Sequence, residues 1–166
     1  MALEIERKYV ILMPDIKALE KYPDYTATDI VQTYLKSRAG VTHRVRKRAY
    51  QSGAVYTETK KVRVDKISSE EKEREITEEE YRELLKLSDT ERVPVVKTRH
   101  SFTYLGQLFE IDIYPEWKHS CILETELKSR DTAVEFPPEV RVIAEVSGDK
   151  RFSNAQMARE FPSELI

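Results

Sequence analysis

Ala2-Leu3-Glu4-Ile5-Glu6-Arg7-Lys8-Tyr9-Val10-Ile11 opens the chain with an alternation that suits a β-strand. Side chains change face at every residue of a strand, so Glu4, Glu6 and Lys8 share one face and Leu3, Ile5, Arg7 and Tyr9 the other. The same two-residue spacing of charge recurs at Arg44, Arg46 and Arg48, at Glu58 and Lys60, at Glu73 and Glu75, at Lys97 and Arg99, at Glu110 and Asp112, and at Glu124, Glu126 and Lys128. On several of these stretches the alternate positions are apolar, as with Phe109, Ile111 and Ile113 around Glu110 and Asp112. A sheet with one wet face is the ordinary explanation of such alternation. Against it, the pattern repeats on seven stretches, acids and bases segregate by stretch, and Thr and Ser are scarce among the charged positions. The charged face is therefore expected to be functional.

Ala39-Gly40, Ser52-Gly53 and Leu105-Gly106 separate these runs and are expected to be hairpin turns. Strands are expected at residues 2–11, 29–38, 41–50, 54–64, 69–76, 93–104, 107–114, 121–129 and 142–147. Thr77-Glu78-Glu79-Glu80 forms a capping box ahead of Tyr81, Leu84 and Leu85, which predicts a helix. Shorter helical pieces are expected over 14–22, after Asp131, and from Ser153 through Met157 to Phe161. Many strands and few helices predict a β-dominated α+β fold, with the strands closing into a barrel.

Composition narrows the function. Across 166 residues, 28 Lys and Arg face 30 Asp and Glu, giving a net charge of −2, and charged residues make up 35 %. That share exceeds the usual ~25 %, yet its balance of sign argues against a general nucleic-acid or anionic-membrane binder. No apolar run approaches the ~18 residues of a membrane span. Charges in the first ten residues argue against an export signal. A single cysteine, Cys121, leaves no internal disulfide framework, and His43, His100 and His119 lack zinc-like spacing. One domain over residues 1–166, in the cytoplasm, is expected.

If the charged face points into a barrel, nine acids (Glu4, Glu6, Glu58, Glu73, Glu75, Glu110, Asp112, Glu124, Glu126) and eight bases (Lys8, Arg44, Arg46, Arg48, Lys60, Lys97, Arg99, Lys128) share its lumen. Burying unpaired charge costs several kcal/mol per ion, so such a lumen must stay hydrated and pair its charges. The apolar core is then expected outside the barrel, beneath the helices. Clustered carboxylates without His or Cys suit a hard cation, Mg²⁺ or Mn²⁺. Arg and Lys suit phosphate oxygens. Both sets in one cavity point to a metal–polyphosphate complex, and because no P-loop is present, side chains must hold the phosphates.

Glu4-Ile5-Glu6-Arg7-Lys8 also resembles the ExExK signature of the triphosphate tunnel metalloenzymes, the CYTH superfamily. Further segments resemble that family in order along nearly the whole chain: Gln32-Thr33-Tyr34-Leu35, Arg44-Val45-Arg46, Thr59-Lys60, Glu73-Arg74-Glu75, Lys97-Thr98-Arg99, Glu110-Ile111-Asp112, Glu124-Thr125-Glu126 and Asp149-Lys150-Arg151-Phe152-Ser153-Asn154. The resemblance implies a closed eight-stranded antiparallel β-barrel tunnel with helices packed outside. It also implies divalent-metal-dependent hydrolysis of a triphosphate, most like the short bacterial tripolyphosphatases. Glu4, Glu6, Glu124, Glu126 and Asp112 would serve the metal. Lys8, Arg44, Arg46, Lys60, Glu75, Lys97, Arg99 and Arg151 would line the substrate. Lys97, Glu4 and Glu6 would be catalytic. His100 after Lys97-Thr98-Arg99, and Glu71 two residues before Glu73, depart from the family pattern. Inorganic tripolyphosphate is the expected substrate, with nucleoside triphosphates also in view. The alternatives are a class IV-type adenylyl cyclase, a thiamine triphosphatase and a non-catalytic polyphosphate-binding module. Neither nucleic acid nor membrane is an expected partner, and a homodimer is compatible with the family. Trp117 is expected to be an exterior anchor.

Overall fold

The computed structural model describes residues 2–165. Nine strands are present: β1 (Ala2–Leu12), β2 (Thr26–Tyr34), β3 (Val41–Tyr50), β4 (Gly53–Arg63), β5 (Ser68–Ile76), β6 (Val95–Tyr104), β7 (Gln107–Ile113), β8 (Ser120–Glu126) and β9 (Val142–Glu145). Their order is β5-β4-β3-β2-β6-β7-β8-β1, and β5 pairs with β1, so eight antiparallel strands close into a barrel. β9 is an extra strand. Closure is shared along β1: residues 2–5 pair with β5, and residues 9–11 pair with β9 on the same side. Gly148 lies at this seam. Its φ is +73°, and a Cβ there would fall 2.4 Å from Lys66 Cγ, so both backbone and space call for glycine. Closing the barrel removes the open edges that a sheet this long would otherwise present.

The turns act as the sequence implies. Leu105 and Gly106 both have positive φ, 50° and 75°, as a tight primed hairpin turn requires. The capping box of α2 (Glu78–Leu85) is fully formed, with Glu80 N–H donating to Thr77 Oγ1 and Thr77 N–H donating to Glu80 Oε1. α1 (Ile16–Leu19) and α3 (Asn154–Met157) are single turns, the second capped by Ser153. After Asp131 the chain makes turns but no helix. β2 begins three residues earlier than expected and ends at Tyr34, and Leu35 makes an isolated bridge to Ser88. No described helix is long and apolar enough to cross a membrane.

The core lies in three places, two of them outside the barrel. Tyr9, Ile11, Phe102, Phe109, Ile111 and Leu123 project outward and pack with Leu19 of α1. Val45 and Ile76 pack with Tyr81 of α2. The third cluster corrects the expectation that no apolar core lies inside. Val10, Tyr34, Val95 and Ile122 sit on the inner face and meet Tyr114, Trp117, Phe152 and Met157. Along β1 the inner positions therefore run Glu4, Glu6, Lys8, Val10: charged toward one end, apolar toward the other. The segment 152–158 plugs that apolar end. Trp117 belongs to the plug, donating Nε1–H to Pro162 O at 2.9 Å, and is not an exterior anchor.

Candidate active site

The charged half of the interior is a cavity of about 590 Å³. β1 supplies Glu4, Glu6 and Lys8, β3 supplies Arg44, Arg46 and Arg48, β5 supplies Glu71 and Glu73, and β6 supplies Lys97 and Arg99. Glu110 comes from β7, and Glu124 and Glu126 come from β8. The pairing registers explain the grouping. Glu6 lies opposite Glu126, Lys8 opposite Glu124, Glu110 opposite Glu124 and Arg99 opposite Asp112.

The inner end is a connected polar network. Arg99 forks onto Asp112, with Nε to Oδ1 at 2.8 Å and Nη2 to Oδ2 at 2.9 Å, while Nη1 donates to Glu110 Oε2 at 3.0 Å. Lys97 Nζ lies 2.7 Å from Asp112 Oδ2 and donates to Asn154 Oδ1 at 2.7 Å. Gln32 Nε2 donates to the same Asn154 oxygen, Asn154 Nδ2 donates to the Tyr114 hydroxyl, and Arg46 Nε donates to Gln32 Oε1. Asp112 has no exposed side-chain surface and Lys97 is only 2 % exposed. Burial pushes the Lys97 ammonium down to about 7; Asp112 opposes the shift, and Arg99 and Arg46 add to it. Burial, with Arg44, Arg99 and Arg48 alongside, pushes Arg46 down to about 9, which leaves it charged at neutral pH. For Glu124, burial is outweighed by Lys8, Arg99 and Lys97, and its carboxyl falls to about 2.

The other end is acidic. Lys61 Nζ stands 3.7 Å from Glu4 Oε2, 3.8 Å from Glu6 Oε1 and 3.8 Å from Glu71 Oε2. One ammonium thus faces three carboxyl groups, each beyond good hydrogen-bond length. Glu4 Oε2 is buried without a hydrogen-bond partner. Burial first, then contact with the Glu71 carboxylate, pushes Glu4 up to about 9. A buried oxygen without a donor, within an excess of carboxylate, is chemistry that a hard divalent cation would satisfy. Among the described residues no three His, Cys, Asp or Glu side chains are already drawn together in ligand geometry; these carboxylates gather around Lys61 instead.

Several side chains fall elsewhere than expected. Glu58 and Lys60 project from the outer face of β4. Glu58 there bonds His43 at 2.6 Å and Arg74 at 2.6 Å, and Lys60 is exposed. Thr57, Thr59, Lys61 and Arg63 face inward instead, because outward Tyr56 packs on Tyr81 and fixes the register. Lys60→Ala is expected to leave turnover within about twofold, whereas Lys61→Ala should cost about tenfold or more, measured as steady-state phosphate release. Glu75 is exposed and lies outside the cavity lining, as does Lys128. Arg151 pairs with Asp149 at 2.7 Å with its side chain 67 % exposed, and Lys150 lines the cavity in its stead. Asp112 sits behind Lys97 and Arg99, committed to both. Glu71, Lys61, Gln32 and Asn154 went unassigned in the sequence. The Asn154 signal was there, as the last residue of Asp149-Lys150-Arg151-Phe152-Ser153-Asn154.

A closed antiparallel barrel whose cavity is lined by both basic side chains and carboxyl groups defines a polyanion-and-cation tunnel. No protein-family model matches the chain. It is 31 % identical over 163 residues to the inorganic triphosphatase of Nitrosomonas europaea, covering 96 % of this chain and 99 % of that protein. The crystal structure of an inorganic triphosphatase superposes with a TM-score of 0.61 at 29 % identity, over 98 % of this chain and 99 % of the other. A Hippeastrum protein, described as having a dominant triphosphatase activity, shares the fold at TM-score 0.55 and 19 % identity, over 76 % and 80 % of the two chains. The chain belongs to the triphosphate tunnel (CYTH) superfamily, in the family of the Nitrosomonas inorganic triphosphatase.

Proposed function

We propose that the protein hydrolyses inorganic tripolyphosphate in this cavity, with Mg²⁺ or Mn²⁺ held at the acidic end. The observation that carries the proposal is that one cavity brings two chemistries together: the bases Arg44, Arg46, Lys97 and Arg99, and the carboxyl groups of Glu4, Glu6, Glu71 and Glu126. Relationship to an inorganic triphosphatase supports the same substrate. Glu4, Glu6 and Glu126 would hold the cation, which when bound would supply Lewis acidity at phosphate oxygens and a more acidic water.

The chain's own groups do the rest. Arg44, Arg46, Arg99 and Lys8 hold phosphate oxygens and neutralise charge as it shifts during transfer, where most of the catalysis of phosphoryl transfer lies. Asp112 fixes the Arg99 fork, so that guanidinium meets substrate already oriented. Lys97 directs two N–H groups to Asp112 and Asn154; its third, in the ammonium form, is free for a phosphate oxygen beside the attacked phosphorus.

This role fixes a sign. Lys97 donates to substrate only when protonated, and its pKa lies at about 7 in the free protein. The kcat/KM for tripolyphosphate is therefore expected to fall above about pH 7, by roughly tenfold per unit, and that limb should vanish in Lys97→Met. A rise through pH 7 would instead make neutral Lys97 the base. The same depressed pKa means that the cost of burying the ammonium is relieved as pH climbs from about 7 toward the ordinary lysine range, so stability contributed by this group rises across that window while activity falls.

An adenylyl cyclase would need a purine pocket beside the same grip. Among the described residues Tyr34 is the sole aromatic side chain lining the cavity, which favours a bare phosphate chain. A panel of tripolyphosphate, ATP and thiamine triphosphate, each with Mg²⁺ and with Mn²⁺, tests the proposal. Orthophosphate release should be fastest from tripolyphosphate; cyclic AMP and pyrophosphate from ATP would overturn it.

A further inference from the structure

A second cleft, of about 550 Å³, opens beside the first between the β2–β3 turn and the C-terminal turn. Six basic side chains line it, Arg38, Lys61, Arg63, Arg92, Lys150 and Arg159, against one carboxylate, Asp89. The two cavities share Thr42, Lys61, Arg63 and Lys150, so one runs into the other. Tyr34 lines the barrel cavity next to the cleft. Its ring carries the Arg92 guanidinium at 5.4 Å, and in the barrel it lies opposite Arg44. Arg92 and Arg44 each bury an Nε–H without an acceptor. Asp89 does not satisfy Arg92: its Oδ2 stands 3.7 Å from that Nε and also takes Arg159 Nη2 at 3.3 Å.

Six basic side chains against one carboxylate, in a cleft that shares four lining residues with the barrel cavity, suit an acceptor-rich anion that spans both cavities. A nucleoside would need an aromatic side chain to stack on, and among the described residues none lines the cleft. A lone orthophosphate would fill one cavity and leave the other empty. A linear chain of phosphate groups has negative oxygens at every unit and can run from one cavity into the next.

Building on the tripolyphosphatase proposal, we propose that this cleft is an extension subsite for linear polyphosphates longer than three units, holding the distal phosphates while the terminal ones occupy the barrel. Arg38 and Arg159 are exposed, line only the cleft and have no part in the barrel site. They carry the test.

Binding of tripolyphosphate, tetrapolyphosphate and a longer linear polyphosphate is measured by titration calorimetry in EDTA, for the wild type and for Arg38→Glu/Arg159→Glu. The wild type is expected to bind the longer chains about tenfold or more tightly than tripolyphosphate, as a basic cleft concentrates a polyanion. The double variant should lose that preference and keep its tripolyphosphate Kd within about twofold. Should the reversed charges unfold the protein in a thermal melt, Arg38→Ala/Arg159→Gln replaces them with the same expected direction. Equal affinity for all chain lengths in the wild type, or a preference that survives the double variant, overturns the subsite. Binding with the expected preference but no phosphate release in Mg²⁺ or Mn²⁺ removes the hydrolase proposal and leaves the subsite standing. Failure to bind any chain removes the subsite, and phosphate release from tripolyphosphate in Mg²⁺ or Mn²⁺ then decides the hydrolase proposal by itself.

Discussion

Glu6→Ala is expected to lower phosphate release from tripolyphosphate by about 10³-fold, with the folded state as stable as the wild type within about 1 kcal/mol. The two halves of that expectation have one cause. Glu6 shares a single ammonium, Lys61, with Glu4 and Glu71, and lies opposite Glu126 in the β1–β8 register. Its nearest cation stands 3.8 Å away, so its removal breaks no close ion pair of the fold. What is lost is a place for positive charge beside the substrate. Phosphate release and a urea melt on the same preparation check both halves. Turnover surviving in Glu6→Ala with Mg²⁺ present would remove Glu6 from the machinery.

Asp112→Ala should behave in the opposite way. Asp112 is fully buried and answers two cations, Lys97 at 2.7 Å and the fork of Arg99 at 2.8 and 2.9 Å. Burial alone would raise its pKa, but those cations hold its carboxyl far below the usual range. Breaking a buried pair from one side costs about 3–5 kcal/mol, because the remaining charge has no counterpart. Here two cations are stranded, with Glu110 and Asn154 as the nearest remaining partners. For a chain of this size that corresponds to a fall in Tm of roughly 6–20 °C. Lys97 should also lose its proton more readily, moving the alkaline limb of kcat/KM below pH 7. A variant with wild-type Tm and a changed metal requirement would mean that Asp112 serves the metal, as the family resemblance implies, and not the base pair.

The barrel was legible because two periods coincided. Residue-by-residue alternation placed charge on one face of strand after strand, and glycine turns marked where each strand reversed. Much of the charged lining follows from that pattern alone: Glu4, Glu6, Lys8, Arg44, Arg46, Lys97, Arg99, Glu110, Glu124 and Glu126 all face the lumen. The misjudged positions have physical reasons. On β4 the adjacent pair Lys60-Lys61 offers a lysine to either face, and the choice is made by Tyr56 packing on Tyr81 of α2, a contact distant in sequence. Arg151 is drawn to its neighbour Asp149 across a single tight turn, a local pairing that strand periodicity does not describe. The plug was hidden because Val10 and Ile122 look like ordinary alternate positions until Phe152 and Met157 return to meet them from the far end of the chain. That return also brings Asn154 onto Lys97, which no spacing within the Lys97-Thr98-Arg99 stretch could reveal.

The central claim is that tripolyphosphate lies inside the barrel, gripped by its basic side chains beside a cation held by its carboxylates. A crystal structure of the protein with tripolyphosphate and a non-reactive divalent cation tests it most directly. The account predicts three phosphorus positions in the lumen, with oxygens within hydrogen-bond reach of Arg44, Arg46, Lys97 and Arg99, and the cation against Glu4, Glu6 and Glu126. Phosphate bound on the outer face, with Lys97 and Arg99 still committed only to Asp112, Glu110 and Asn154, would contradict it.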